Sequence, residues 1–286
     1  MKAPLPRSIL IALLALGAAP AFAQSTSSDP TWTGGYLGGY AGSVFDPDDG
    51  NDRILFDTDQ DGAFDDSVRT GTGTGADAFS PGFCDGSAVF RSPSDGCNGN
   101  NGGAEWGVRA GFDWQIGDIV VGVVGDYGMN DARDAVTAFS TTPASYTMLR
   151  KIDNLFAIRG RVGMAFSGGS RPENLVYLTA GYAQASIENS FQTTNAANSF
   201  TSNGDSDADG AQYGIGYERM VGENFAVGIE YLRTNLSDDE ARVRVGPGTA
   251  PASNAFLRDN PNGTDFRRSD EDFDLDSLRL TATYRF

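Results

Sequence analysis

Leu278-Arg279-Leu280-Thr281-Ala282-Thr283-Tyr284-Arg285-Phe286 is the stretch whose reading decides the fold. Successive side chains of an extended strand point to opposite faces. Leu278, Leu280, Ala282, Tyr284 and Phe286 therefore share one side, and Arg279, Thr281, Thr283 and Arg285 the other. A half-buried strand of a soluble sheet shows the same alternation. An apolar face that ends on Tyr and Phe, with no tail to cover it, suits instead a strand facing lipid with aromatics at the interface. An open sheet edge cannot exist in hydrocarbon, so this reading requires enough further strands to close a barrel.

Residues 1–23 read as a secretory signal peptide: Lys2 and Arg7 form a basic start, residues 9–19 an apolar core, and Ala21-Phe22-Ala23 a cleavage site. The alternative, a membrane anchor, needs roughly 20 apolar residues, and the run is shorter. Residues 24–286 are taken as one domain. They hold no transmembrane-helix candidate and no clear helical period, while Gly, Tyr, Phe, Val and Thr recur in short runs, an all-β composition. The formal net charge is −17, and removing residues 1–23 with Lys2 and Arg7 leaves −19. Such a chain is not expected to bind nucleic-acid phosphates. Divalent cations, basic surfaces and anionic lipids bridged through cations fit it better.

Outward from the last strand, seven more are legible. Residues 104–115 give the cleanest case: Trp106, Val108, Ala110, Phe112 and Trp114 on one face, Glu105, Gly107, Arg109, Gly111 and Asp113 on the other. Strands are also expected at residues 31–43, where Gly interspersed with Trp32, Tyr36, Leu37 and Tyr40 leaves the facing ambiguous, and at 119–130, 155–166, 175–187, 211–220 and from Phe225 onward. Loops at residues 44–103, 131–154, 188–209 and 237–276 are long, the second mixed in character and in part extended strand and the fourth continuing its hairpin above the membrane at its ends, and the turns after strands two, four and six are short. Residues 44–103 read as a structureless acidic insertion, with twelve Asp against three Arg. Alternating long and short connections, with strands near ten residues, match an eight-stranded antiparallel up-and-down transmembrane β-barrel with long extracellular loops. A soluble lipocalin-type barrel has no reason for that asymmetry.

The order W-x-G-x-Y-x-G-G from Trp32, together with the terminal Phe286, resembles the small outer-membrane β-barrel proteins. The OmpA/OmpX-type barrels and the porin-like family of α-proteobacteria are the nearest in character. The resemblance spans residues 31–286 in layout but rests on the first and last strands. It implies a bacterial outer-membrane location with both termini in the periplasm, delivery to the barrel-assembly machinery through the strand ending in Phe286, and a structural or porin-like envelope role. The alternative is a surface adhesin or ligand-binding barrel whose acidic loops carry the activity.

Alternation places ten charges inside: Glu105, Asp113, Asp126, Glu218 and Glu230 with Arg109, Arg159, Arg161, Arg279 and Arg285. Side chains nearly fill an eight-stranded barrel, and buried charges must pair. A salt-bridged plug is expected, with a charged channel lining as the alternative. Asp57-x-Asp59-x-Asp61-Gly62, with Asp65 at the ninth position, opens like an EF-hand calcium loop, but Val68 takes the twelfth place where Glu belongs. Asp205, Asp207 and Asp209 repeat the opening before Gly210. Either set is a candidate for Ca2+ or a plain solvated acidic loop. Asp270, Asp272, Asp274 and Asp276 are candidates for bridging lipopolysaccharide through divalent cations.

Cys84 and Cys97, bound for an oxidising compartment, are expected to form a disulfide. Histidine is absent from the chain. Hydrolytic mechanisms that use a histidine base are excluded in their usual form, and no catalytic residue is assigned.

Overall fold

The computed structural model describes residues 32–45, 52–71, 75–167 and 173–286. Residues 1–23, read as a signal peptide, lie outside the described residues. Eight strands form a ring: β1 (Gly34–Phe45), β2 (Ala104–Ile116), β3 (Ile119–Asn130), β4 (Ala144–Phe166), β5 (Asn174–Thr193), β6 (Ser206–Met220), β7 (Phe225–Ser237) and β8 (Asp272–Arg285). Each is antiparallel to the next, and β8 returns to β1 with Tyr36 opposite Arg285 and Phe45 opposite Asp276. No edge is left open, as a strand in lipid requires.

Alternation sets the facing. Trp106 is 58% exposed while Glu105 beside it is 4% exposed. The exposed faces carry Trp106, Tyr127, Phe156, Tyr182, Tyr213 and Tyr231 towards the long loops, and Trp114, Phe166, Tyr217, Phe225, Tyr284 and Phe286 towards the short turns. These are two aromatic girdles around an aliphatic band. The glycine-rich β1, ambiguous in sequence, points Tyr36 and Tyr40 inward and Leu37 outward. Inward glycines make room for those rings: a Cβ on Gly111 would lie 2.3 Å from Tyr36 Cζ, and one on Gly128 2.2 Å from Tyr40 Oη.

The turns between β2 and β3 and between β6 and β7 are tight, and Gly117 and Gly222 take the positive φ that such turns need. The loop end differs from the sequence reading. β4 and β5 run 23 and 20 residues, about twice the 9–11 needed to cross a membrane, and project beyond the band. The second loop region, expected to be in part extended strand, is a full hairpin, with Arg133–Ser140 folding back on the extended start of β4. The 44–103 insertion is not structureless: Ile54–Asp57 and Gly82–Asp85 are strands. Ile54–Asp57 joins Thr264–Arg268, Val243–Gly246 and Ser199–Ser202 in a four-stranded sheet drawn from loops one, three and four.

All four loops meet in one core. Phe56, Phe79, Tyr146, Phe256 and Phe266 pack with Val68, Val136, Met148 and Val243. Phe56 stacks on Phe79 at 4.5 Å between centroids and meets Phe266 edge-on at 5.0 Å. Buried aromatics of this size dominate local stability. The loops thus form a folded cap with its own hydrophobic centre.

Candidate functional site: the barrel interior and its cap

Inward-facing side chains form layers. At the turn end, Trp32, Val120, Ala165, Leu175, Met220 and Ala226 form an apolar floor. Towards the loops, Val44, Ile152, Leu155, Ile187, Leu236, Phe273 and Leu275 form a second apolar layer. The ten charges named from sequence lie between, and all are buried.

They are cross-linked. Arg109 lies 3.3 Å from both Asp126 and Glu230, and Arg159 bridges the same two acids. Arg279 contacts Glu105 at 2.8 Å and Asp126 at 3.3 Å. Arg161 holds Asp113 and, at 2.8 Å, Glu218, while Arg285 also contacts Asp113. Tyr177 Oη donates a 3.1 Å hydrogen bond to Glu230 Oε1. Rings complete the cage: Arg161 lies between Tyr36 and Tyr177 at 4.8 and 4.9 Å from their centroids, and Arg279 covers Tyr40 at 4.3 Å. Five carboxylates face five guanidiniums, and a buried charge that lost its partner would cost several kcal/mol.

A second buried cluster, outside the membrane band, ties the cap to the barrel. Asp134 accepts 2.7 Å bonds from Arg150 Nε and Arg268 Nη2, and Asn100 Nδ2 donates to its other oxygen at 2.8 Å. Arg268 also pairs with Asp52, and Arg150 lies 4.5 Å from the Phe273 ring centroid. Burial pushes the Asp134 carboxyl up, but Arg268 and Arg150 outweigh it and hold the group below its usual range. Burial and the neighbouring Arg268 pull Arg150 down; burial does the same to Arg268, yet Asp134 and Asp52 hold that group above its usual value.

Of the acidic motifs, Asp57, Asp59 and Asp61 bring one carboxylate oxygen each within 4.8 Å of one another. Asp57 is buried and already accepts from the amides of Gln60 at 2.7 Å and Gly62 at 3.0 Å. Asp65 is exposed and outside that group, whereas Asp66, which sequence reasoning passed over, accepts from Thr58 N and Oγ1. Val68 stands at the twelfth position because it packs in the cap core. At the repeat, Ser206–Met220 is strand, and Asp207 and Asp209 share one exposed face of β6 with Asp205 just before it. Asp274 and Asp276 are paired with Arg233 at 2.7 and 3.0 Å.

Cys84 and Cys97 are disulfide-bonded, with Cα atoms 6.5 Å apart. The bond closes a small hairpin in which Ser87–Ala88 pairs with Cys97–Asn98. A Ser92-capped turn at Pro93–Asp95 forms its tip, and Val89 and Phe90 there are exposed.

The family model for the outer membrane protein beta-barrel domain matches residues 9–286. The chain belongs to that family. Its place is the bacterial outer membrane. A search of curated proteins found no match. Among solved structures, the outer membrane protein OprG of Pseudomonas aeruginosa is similar at 12% identity and a TM-score of 0.43, covering 89% of this chain and 96% of that one. The attachment invasion locus protein Ail of Yersinia pestis is similar at 10% identity and a TM-score of 0.35, covering 88% and 99%. The outer membrane protease OmpT of Escherichia coli is similar at 9% identity and a TM-score of 0.39, covering 92% and 99%.

Within this outer-membrane barrel, sequence reasoning missed the Asp52–Asp134–Arg150–Arg268 cluster. Residues 134–140 are covered on both faces, by the aromatic core and by the disulfide-bonded hairpin, whose Gly86 O and Ala88 N bond Thr137 Oγ1. Burial on both faces erases the period-two signal that revealed the staves.

Proposed function

We propose that this outer-membrane barrel is a closed structural element of the envelope, with the turn end and both termini in the periplasm and the acidic cap outside. The observation that carries the reading is the paired ion layer held between two apolar layers. An ion crossing the barrel would have to break desolvated pairs and then pass an apolar constriction, each costly. Residues 44–103, 131–154, 188–209 and 237–276 carry 29 Asp and Glu against 11 Lys and Arg. The surface presented outward is therefore strongly anionic, and divalent cations and lipopolysaccharide are its natural partners. Phe286 at the end of β8 is assigned to recognition by the barrel-assembly machinery. No enzymatic role is proposed for a chain without histidine. Planar-bilayer recording of the folded protein is the test: no steady nanosiemens-scale conductance is expected, and a stable pore of that size overturns the closed barrel.

A second reading, a surface adhesin, is favoured by one observation. Val89 and Phe90 are large apolar side chains presented at a disulfide-held tip on an otherwise polar cap, and rigid aromatic tips are typical binding anchors. Adherence of cells displaying the Phe90→Ser protein decides it. If adherence equals that of cells with the native protein, the tip is not the contact.

A further inference from the structure

Arg133–Ser140 carries the cap, and its two edges are held differently. One edge pairs along its length with the start of β4. The other is held by the first loop. Gly82–Asp85 pairs with residues 136–139, Gly86 N donates to Ala135 O at 2.7 Å, and Asn101 and Arg133 each donate an amide to the other's carbonyl. Asn100 makes the central contact. Its Oδ1 accepts from Ala135 N, and its Nδ2 reaches both Asp85 Oδ1 and Asp134 Oδ1, each at 2.8 Å.

The Cys84–Cys97 bond joins these anchors. Cys84 lies in the strand paired with Thr137, and Cys97 stands just before Asn100. With residues 84 and 97 tied together, Gly86 and Asn100 are presented to the strand side by side. Severing the bond returns chain entropy to that segment and favours its departure. Both cysteines are half-buried, within reach of a small thiolate. Once Asn100 leaves, water reaches Asp134 Oδ1, and a higher local dielectric weakens the pair with Arg268. Arg268 belongs to the cap sheet: Thr264–Arg268 pairs with Val243–Gly246 and Ile54–Asp57, not with residues 84–101.

We propose that the Cys84–Cys97 bond is a redox latch for the cap: when a small dithiol reduces it, residues 86–101 lift from Arg133–Ser140, Asn100 leaves Asp134, and the hold of Asp134 on Arg268 loosens. A thiolate of the reductant attacks one cysteine sulfur, the other sulfur leaves as a thiolate, and the reductant's second thiol resolves the mixed disulfide. Two electrons and two protons pass to the cysteines, and the reductant ends as a cyclic disulfide. Oxidised, the four loops form one folded cap. Reduced, the cap opens while the eight strands, paired to one another, keep their ring.

Hydrogen exchange of the full chain, first oxidised and then held in dithiothreitol, tests the latch. On reduction, protection should fall about a hundredfold in residues 84–101. At residues 264–268 it should fall about tenfold, the worth of one hydrogen bond to a charged group, with heat-modifiable migration unchanged. Cys84→Ser/Cys97→Ser should show the same losses without reductant and no further change with it. Asn100→Ala should reproduce the loss at 264–268 in the oxidised protein, and it stands in should the double variant fail to fold. Protection at 264–268 that survives reduction makes the bond a local staple and overturns the proposal, as does native protection there in Asn100→Ala. Loss of heat-modifiable migration on reduction overturns it too, because the bond would then hold the barrel and not the cap alone.

Discussion

Arg268, from the fourth loop, donates a 2.7 Å hydrogen bond to Asp134, from the second. This joins two segments 134 residues apart at the base of the cap. Asp134 also holds Arg150 at the loop end of β4, so one carboxylate fastens two loops and a stave. The cap is therefore attached to the barrel by buried ion pairs as well as by its aromatic core.

The acid response of the cap follows from this. Asp134 titrates below its usual range when folded, and a depressed carboxyl pKa contributes stability above the unfolded value, about 3.9, that is lost as pH falls through the folded one. Neither guanidinium titrates near neutrality, so Asp134 carries the dependence. The protection of residues 133–140 and 264–268 against hydrogen exchange, taken relative to the intrinsic rate at each pH, should be flat from about pH 7 to 5 and fall below about pH 4. Asp134→Asn should expose these segments already at neutral pH, by about 3–5 kcal/mol for a broken buried pair. Protection that stays flat through the acid range, or an Asn variant with native protection, contradicts the role.

Glu230 accepts from Arg109, Arg159 and Tyr177, more partners than a single substitution can replace. Glu230→Ala leaves two guanidiniums facing one remaining acid, Asp126. A loss of about 3–5 kcal/mol is expected, read as a lower temperature for the heat-modifiable shift. Conductance should stay absent, because the apolar layers above and below are untouched. Glu230→Gln, which keeps the shape and loses the charge, should fall between.

How much of this was legible depended on solvent. Where one face of a strand meets lipid and the other the barrel interior, alternation survives, and Trp106 against Glu105 or Ile229 against Glu230 can be read directly. β1 was ambiguous because glycine carries no facing information; only the rings of Tyr36 and Tyr40 fix it. The cap was illegible because its apolar residues are scattered through four loops among Asp, Gly and Ser, and Phe56, Tyr146 and Phe266 become neighbours only after the barrel has closed. Asp57-x-Asp59-x-Asp61 was visible as a motif, but the packing of Val68 in the cap core was not.

The two kinds of glycine give a paired prediction. Gly111→Ala drives a methyl into the Tyr36 ring, whose Cζ lies 2.3 Å from the new Cβ. Overpacking of that kind costs about 1–3 kcal/mol. Gly125→Ala faces outward into free space and should leave the heat-modifiable transition within about 0.5 kcal/mol of native. Tyr36→Leu placed in the Gly111→Ala background should recover part of the loss. Equal effects at the two glycines would mean that the inward rings do not set the requirement.

We infer that Asp57, Asp59 and Asp61 take a calcium ion weakly. The Asp61 amide draws the Asp59 carboxyl down, but desolvation and the nearby Asp61, Asp66 and Asp57 charges prevail and hold it above its usual value. A hard cation relieves that crowding with oxygen ligands. Two Asp57 oxygens are already engaged by backbone amides, and Val68 supplies no ligand, so affinity should fall in the range of roughly 10⁻⁴–10⁻³ M found for extracellular modules. Limited proteolysis within residues 57–69 should slow several-fold when calcium is raised through that range and return on chelation. Asp59→Ala should abolish the calcium effect without altering heat-modifiable migration. Protection that calcium does not change, or that persists in Asp59→Ala, leaves the three carboxylates as a solvated acidic turn.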